Sequence, residues 1–553
     1  MKKIEKEIPE VDENPADRLK EKLKGNGLQF ALKTVSEKQI EKAIKSLKSK
    51  TSSGTDFISP KVIKMSVDTL KVPLCFIVNN SIQTGQFPDS WKLAKVTPIY
   101  KKKDSKLDKT NYRPVSNLKS ASKVLEMIVN QQVLRFFETN NLLPRSQHGF
   151  RARRSTFSAI ASMHETWLRQ YQLGNHSMVA FFDLSAAFDT LSKEVFCEKL
   201  RKYGFHPTSV QWFDSYLTGR RQVVMIGASL SNECELTVGS PQGAILSPTI
   251  FIILIADVDL WSEAEIFGYA DDTTATISGD NLNKMVQDCE LEASKIIKFM
   301  SANKLAANSA KTHIMIVRRG GDKEEISVQV GEKLIKETTD EKLLGMKVQN
   351  NLGWSTHIVH LEKKLKHRLF NLRRLSEKIP RDLLKRVADG IFMSLVRYGL
   401  PLYCPLRLKV DDPQHGSIDK IKVVFNDCLR LLTNNKRGDH ARVEDMLREL
   451  GWLSINQLCA ETRLLEAWKT VHVENYCLED TLKLKRRPKT QYMSTRSTAH
   501  TLLETGQRDR FSNSSFVHKT ALIWNTAPKN VRQATNLRQA KTLIRTFVKT
   551  LPI

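Results

Sequence analysis

Phe267-Gly-Tyr-Ala-Asp-Asp-Thr-Thr274 (FGYADDTT) decides how the rest of the chain reads. Asp271 and Asp272 stand side by side within Glu265–Ile277, where apolar residues lie on both sides of the acidic pair. The pattern predicts two strands joined by a tight acidic turn. An acidic pair in a turn is ordinary in itself, because Asp favours turns for local reasons. Here Phe267, Tyr269 and Ile277 bracket the pair with strand residues, so the turn is held rigidly. A second apolar strand, Met178–Phe182 (MVAFF), stops at Asp183. Strand ends and hairpin turns bring distant carboxylates to one rim of a sheet, where they repel unless a cation holds them. Hard oxygen ligands suit Mg²⁺. Two such ions about 4 Å apart can clamp the attacking and leaving oxygens of a phosphoryl displacement.

Working outward, Val96–Tyr100 reads as a strand entering a Lys-rich turn and a second extended piece that ends in Arg113-Pro114, a basic hairpin. Residues 121–140 have helical apolar spacing, Gln147–Thr156 (QHGFRARRST) is a basic turn, and Leu282–Leu305 is helical before a strand at His313–Val317. Upstream, residues 1–50 are Lys/Glu-rich with a helical stripe at Val35, Ile40, Ala43, Ile44 and Leu47. Thr51–Pro60 is a loop by composition, followed by helical spacing to about Thr84. Downstream of Leu343–Val348 the chain becomes mostly helical, with a strongly basic helix at Leu361–Leu375 and a basic stretch at Thr481–Thr490. Mixed strands and helices in this order predict an α+β sheet domain.

Bulk properties agree with a phosphate-bearing partner. The 553 residues exceed one ordinary domain. Lys and Arg number 87 against 60 Asp and Glu, a net charge of +27, which favours nucleic acid over other polyanions. Eight scattered cysteines form no CxxC and no zinc spacing, so they read as reduced thiols. The charged N-terminus has no apolar core of a secretory signal. The most apolar run, Ile245–Val258, contains Pro248 and Asp257 and is short for a membrane span, so no membrane partner is expected.

Three segments carry a family resemblance. Residues 181–190 (FFDLSAAFDT), 239–248 (GSPQGAILSP) and 267–274 (FGYADDTT) resemble motifs A, B and C of reverse transcriptases, in that order. Asp183 to Gln242 is 59 residues and Gln242 to Asp271 is 29, spacings that fit. Lys95–Asn117 resembles the fingers segment, Gln147–Arg154 the element after it, Asn303–Thr312 motif D and Leu343–Val348 the primer grip. Trp354 with its following helices resembles a non-LTR thumb, and Trp524-Asn525 with Pro528 resembles the tail of jockey-like elements. The resemblance runs from about residue 35 to the end.

That resemblance implies a right-hand polymerase and an RNA-directed DNA polymerase activity on an RNA template with a DNA primer and dNTPs. It implies an N-terminal helical extension (1–50), fingers and palm (51–348), a helical thumb (349–436) and a basic helical C-terminal region (437–553). Asp183, Asp271, Asp272 and the carbonyl of Leu184 would hold two Mg²⁺ ions, with Mn²⁺ as a substitute. Phe188 falls at the steric gate that rejects a ribose 2′-OH. Gln242 and Gly243 fall at the incoming nucleotide and template. Lys101 and Arg113 would grip the triphosphate, with Lys102 and Lys103 competing for the role of Lys101. Lys311 matches the motif D lysine, a proton donor to pyrophosphate. Arg151, Arg153, Arg154, Lys363, Lys364, Lys366, Arg373 and Arg374 are expected on the template–primer backbone.

Many non-LTR elements join this polymerase to an upstream endonuclease, and the first 35 residues are too short for one. Nicking of target DNA is therefore expected from another chain or from further sequence. The competing readings are a catalytically idle or domesticated RNA-binding remnant, a maturase- or telomerase-like enzyme, and a viral RNA-dependent RNA polymerase. A remnant predicts a lost carboxylate, and none is lost. The expected location is the nucleus or a cytoplasmic ribonucleoprotein, with Lys483–Lys489 as the basic signal.

Overall fold

A computed structural model describes residues 8, 9, 11–23, 27–102, 105–185, 187–308, 311–318, 325–409, 412, 416–474, 476–478, 481 and 515–553. Lys103 and the basic stretch 482–490 lie outside the described residues. The helix Glu37–Ser46 buries Ile40, Ala43 and Ile44, the stripe its spacing predicts. Helices Pro60–Met65 and Val67–Thr84 follow the loop.

Strands β1 (Leu93–Tyr100) and β2 (Tyr112–Asn117) form the basic hairpin, antiparallel with Pro98 opposite Pro114. After the helices Ser120–Thr139 and Thr156–Leu173 comes β3 (His176–Phe182), continued past Asp183 by the short β4 (Leu184–Ser185). β5 (Arg220–Ile226) runs parallel to β1, with β6 (Ser229–Leu230) and β7 (Cys234–Leu236) paired to it. β8 (Glu265–Tyr269) and β9 (Asp272–Gly279) are the two arms of the acidic hairpin. Next come β10 (Ala306–Ala307), β11 (His313–Val317), β12 (Ser327–Val330) and β13 (Lys333–Thr338). β14 (Asp340–Leu343) and β15 (Met346–Gln349) close a separate hairpin before the helical part.

The central sheet has six strands in the order β12-β13-β11-β3-β9-β8. Its middle strands read as unbroken apolar runs because both faces are buried. Met178, Ala180 and Phe182 of β3, with Ile314 and Ile316 of β11, join one core with the N-terminal helices and the helix Leu282–Ala302. Val179 of β3, with Met315 and Val317 of β11, joins the other core. That core holds the helix Thr156–Leu173 and reaches through Ser355–Ser376, Gly416–Thr433 and Ile455–His472 to Leu537–Val548. The period of two along each strand thus divides one sheet between two cores.

The apolar run Ile245–Val258 contains the helix Ser247–Leu254, buried at every position but Pro248. Just after it, buried Asp257 meets buried Lys199 at 2.5 Å, and the Lys199 ammonium also donates to the Leu254 carbonyl at 2.7 Å. A buried charge needs such partners. This pair ties the helix Lys193–Lys202 to the end of the Ser247–Leu254 helix. The mixed α+β class expected from the sequence is the class observed. Among the described residues no helix is long and apolar enough to cross a membrane.

Candidate active site

The acidic rim forms where β3 ends and the β8–β9 hairpin turns. Phe182 pairs with Thr273, so Asp183, the next residue, comes level with Asp272. Directly opposed residues on paired strands lie about 5 Å apart. Tyr269 pairs with Asp272, leaving Ala270 and Asp271 as a two-residue turn. Ala270 has φ +58°, a left-handed value that a glycine would adopt without strain. The turn is held in this shape from behind. Ser146–Gly149 lies along β8: the His148 N–H donates to the Gly268 carbonyl at 2.7 Å and the Gly268 N–H to the Ser146 carbonyl at 3.1 Å. Gly149 lies so close that a Cβ built there would sit 2.2 Å from the Ala270 nitrogen.

The three carboxylates feel one another. Burial, then the charges of Asp271 and Asp183, push Asp272 up to about 6. Asp271 is raised by burial and by Asp183, against the opposing pull of its own backbone N–H, Lys311 and Arg113. The Lys311 ammonium sits 2.5 Å from Asp183 Oδ2, a positive charge where the carboxylates crowd. Its backbone is positioned by the motif D turn: Leu184 pairs with Ala307, and the Asn308 N–H donates to the Asp183 carbonyl at 2.9 Å. Among the described residues, no three His, Cys, Asp or Glu side chains are already closed into a metal cage. The donor chemistry nonetheless fits a small divalent cation: hard carboxylate oxygens, mutually repelling, and a lysine beside them that shows the preference for positive charge.

Phe188 is half-buried, with its ring centroid 5.3 Å from Phe251 and 6.3 Å from Phe150. Gln242 is held by a residue that sequence reasoning missed. Its amide donates to both carboxylate oxygens of Asp189, at 2.8 and 2.9 Å. Asp189 lies in the same segment as Asp183, and burial above all raises its carboxyl above the usual value. Gly243 has φ +111°, and a Cβ there would come 2.8 Å from the Ser116 carbonyl oxygen. The Ser116 N–H donates to the Gln242 carbonyl at 2.8 Å, so motif B is seated on β2. Arg113 is exposed on β2 opposite Ile99, close enough to the rim for its charge to act on Asp271. Lys101 and Lys102 are exposed just past β1.

The basic residues divide. Lys363, Lys364, Lys366, Arg373 and Arg374 all lie on the exposed face of the helix Ser355–Ser376, whose other face buries Leu361, Leu365, Leu369 and Leu372. Lys366 pairs with Glu362 at 2.7 Å. Arg153 is exposed and donates to the Glu474 carbonyl at 2.8 Å, and Arg154 donates to the Arg145 carbonyl. Arg151 is turned inward. Its guanidinium grips both oxygens of Glu138, at 2.8 and 2.7 Å, and donates to the Pro144 carbonyl at 2.6 Å. The sequence grouped it with nucleic-acid contacts because composition cannot tell a strut from a free cation.

Residues 100–348 match the model of the family described as reverse transcriptase (RNA-dependent DNA polymerase). Similar curated proteins include the RNA-directed DNA polymerase from mobile element jockey of Drosophila melanogaster, 23% identical over 68% of this chain and 42% of that protein. The probable RNA-directed DNA polymerase from transposon BS of the same fly is 24% identical over 74% of this chain and 45% of its own length. A putative 115 kDa protein in type-1 retrotransposable element R1DM of that fly is 25% identical over 66% of this chain and 36% of its own. The chain therefore spans less than half the length of these relatives. Among solved structures, the RNA-dependent RNA polymerase of a human picorbirnavirus aligns with TM-score 0.43 and 11% identity, over 82% of this chain and 77% of that one. Carboxylates at the strand ends and the family match converge on the same segment, residues 100–348, which is similar to reverse transcriptase domains and, more distantly, to the polymerases of the mobile elements jockey and BS.

Proposed function

We propose that this chain is an RNA-directed DNA polymerase that extends a DNA 3′-OH on an RNA template. The observation that carries the reading is the acidic rim: strand register brings Asp183 level with Asp272, Asp271 stands beside them in the turn, and the charges of Asp183 and Asp271 act on Asp272. In the reaction the primer 3′-oxygen attacks the α-phosphorus of a dNTP, and the bond to pyrophosphate breaks. Two Mg²⁺ ions, held by the three aspartates and the Leu184 carbonyl, would supply activation of the 3′-OH and charge neutralisation on the triphosphate. Lys311, whose ammonium lies on Asp183, would give a proton to the departing pyrophosphate. Lys101 and Arg113 would hold the β- and γ-phosphates. Phe188 would close the space a 2′-OH needs, over a floor made by Gln242 and Gly243.

We assign fingers and palm to 51–348, with the six-stranded sheet as palm, the thumb to 349–436 and a helical C-terminal region to 437–553. The exposed basic face of Ser355–Ser376 would lie on the template–primer backbone. Target DNA is the natural source of the primer end, and nicking it falls to an endonuclease beyond these residues, in the nucleus or a ribonucleoprotein.

Primer extension on an RNA template with Mg²⁺ and dNTPs tests the reading, beside an Asp271→Asn, Asp272→Asn double variant. Extension by the wild type, with the variant reduced by at least about a thousandfold, is expected for loss of metal-held electrostatic stabilisation. Binding of template–primer without extension by either chain would favour the idle RNA-binding remnant instead.

A further inference from the structure

The ring of Phe150 has no part in the roles assigned above, yet its placement is unusual on three counts. Its backbone is left-handed, φ +56°, where a bulky residue is strained. Its side chain is 45% exposed, although it is large and apolar. It meets Phe188 edge-on, ring centroids 6.3 Å apart and planes at 74°. Phe188 is backed on another side by Phe251, which is fully buried. An edge-to-face contact at this distance is attractive and directional.

The segment that carries Phe150 cannot drift. The buried Gln147 accepts the Gly149 N–H at 2.8 Å through its side-chain oxygen, and the backbone on either side is bonded to Gly268. Arg151, the next residue, is clamped on Glu138 and on the carbonyls of Pro144 and Gln147. The same brace that shapes the Ala270-Asp271 turn therefore fixes where the Phe150 ring stands.

We propose that Phe150 is a positioning residue for the sugar gate: its ring pins Phe188 between Phe150 and Phe251, so the discrimination of deoxyribose from ribose depends on both phenylalanines. This rests on the polymerase reading and on Phe188 as the gate. With Phe150 absent, the Phe188 ring can swing toward the vacated side and open room for a 2′-OH. The braced turn also locks sugar selection to the hairpin that bears the carboxylates.

The test is single-nucleotide extension by the full chain with matched dNTP and rNTP, reading the ratio of the two kcat/KM values. Phe150→Gly removes the ring and relaxes the left-handed backbone, so loss of folding does not confuse the result; Phe150→Tyr keeps the ring. Phe188→Val reports the gate directly. We expect the dNTP-over-rNTP ratio to fall about tenfold in Phe150→Gly through faster rNTP use, with Phe150→Tyr close to wild type, in line with what pocket shape alone contributes to selectivity. A general structural defect would lower both substrates together and leave the ratio unchanged, which would overturn the proposal. A ratio lowered by Phe188→Val but not by Phe150→Gly overturns the brace and keeps the gate. A ratio lowered by neither overturns the gate with it, and a wild type that extends no primer removes the polymerase reading underneath.

Discussion

At the scale of single residues, Gly243 shows how little room the site has. It combines a left-handed backbone with a carbonyl that a side chain would strike, the Ser116 oxygen on β2. Gly243→Ala must push motif B off β2 and carry Gln242 with it. A displacement of about 1 Å near reacting groups costs on the order of a hundredfold in rate, and that loss in kcat/KM for primer extension is expected. Gly227→Ala is the matched control, since Gly227 is also left-handed (φ +61°) but a Cβ there meets nothing within 4 Å. Equal losses in both would mean that backbone strain alone, not the seat on β2, is being measured. The aspartates of the rim were legible because strand endings and hairpin turns have signatures in local sequence. The partner of Gln242 was not. Asp189 lies 53 residues earlier, and nothing in spacing says that one amide will take both oxygens of that carboxylate. Nor does sequence show that a basic turn contains a left-handed phenylalanine aimed at a neighbour's ring.

At the scale of elements, helices and strands appear where periodicity places them, with ends shifted by a few residues: the strand expected at Val96–Tyr100 begins at Leu93, and that at Met178–Phe182 begins at His176. What periodicity could not show is which basic residues are free to bind. The helix Ser355–Ser376 displays its cations to solvent, whereas the turn after Gln147 spends Arg151 on its own fold. The two elements should respond oppositely to substitution. Replacing Lys363, Lys364, Arg373 and Arg374 with Gln is expected to weaken template–primer binding at every sequence, lowering the slope of log affinity against log salt by about one per phosphate contact removed. Arg151→Lys should leave that slope unchanged. It should instead lower stability by about 1–3 kcal/mol, because an ammonium cannot reproduce the two-pronged grip on Glu138 and still reach the carbonyls. Titration of labelled template–primer across a salt series, with thermal unfolding of the same variants, separates the two. A reduced slope in Arg151→Lys would return that residue to the nucleic-acid surface.

At the scale of the whole molecule, one sheet serves two cores, and the second core joins the C-terminal helices to the sheet. Three buried histidines stand in or beside that second core. Burial, with Arg154 and Arg151 nearby, lowers His148 to about 3. Burial lowers His164 to about 4, only partly opposed by the Leu352 carbonyl. Burial, His360 and Lys364 lower His357 to about 4, and its Nδ1 accepts the Lys347 N–H at 3.3 Å, which requires the neutral ring. The His164 and His357 rings flank Trp354, at 5.0 and 6.0 Å, where the first helix of the C-terminal half begins. A histidine whose folded pKa lies below its unfolded value of about 6.5 contributes stability above that pH and loses it as the pH falls toward the folded value. Each such group steepens the loss by about 1.4 kcal/mol per pH unit, so three approach about 4 kcal/mol per unit between pH 6 and 4. The histidines should therefore pull the thermal midpoint down below pH 6, against Asp189, Asp271 and Asp272, whose values, raised in the fold, add stability as the pH falls. His164→Gln and His357→Gln should each flatten that dependence by about a third, since a glutamine takes up no proton. An unchanged slope in the double variant would place the acid sensitivity elsewhere. Because both rings sit where the C-terminal helices meet the sheet's second face, acid should loosen that junction first, seen as amide exchange rising in Ser355–Ser376 while β3 and β9 stay protected.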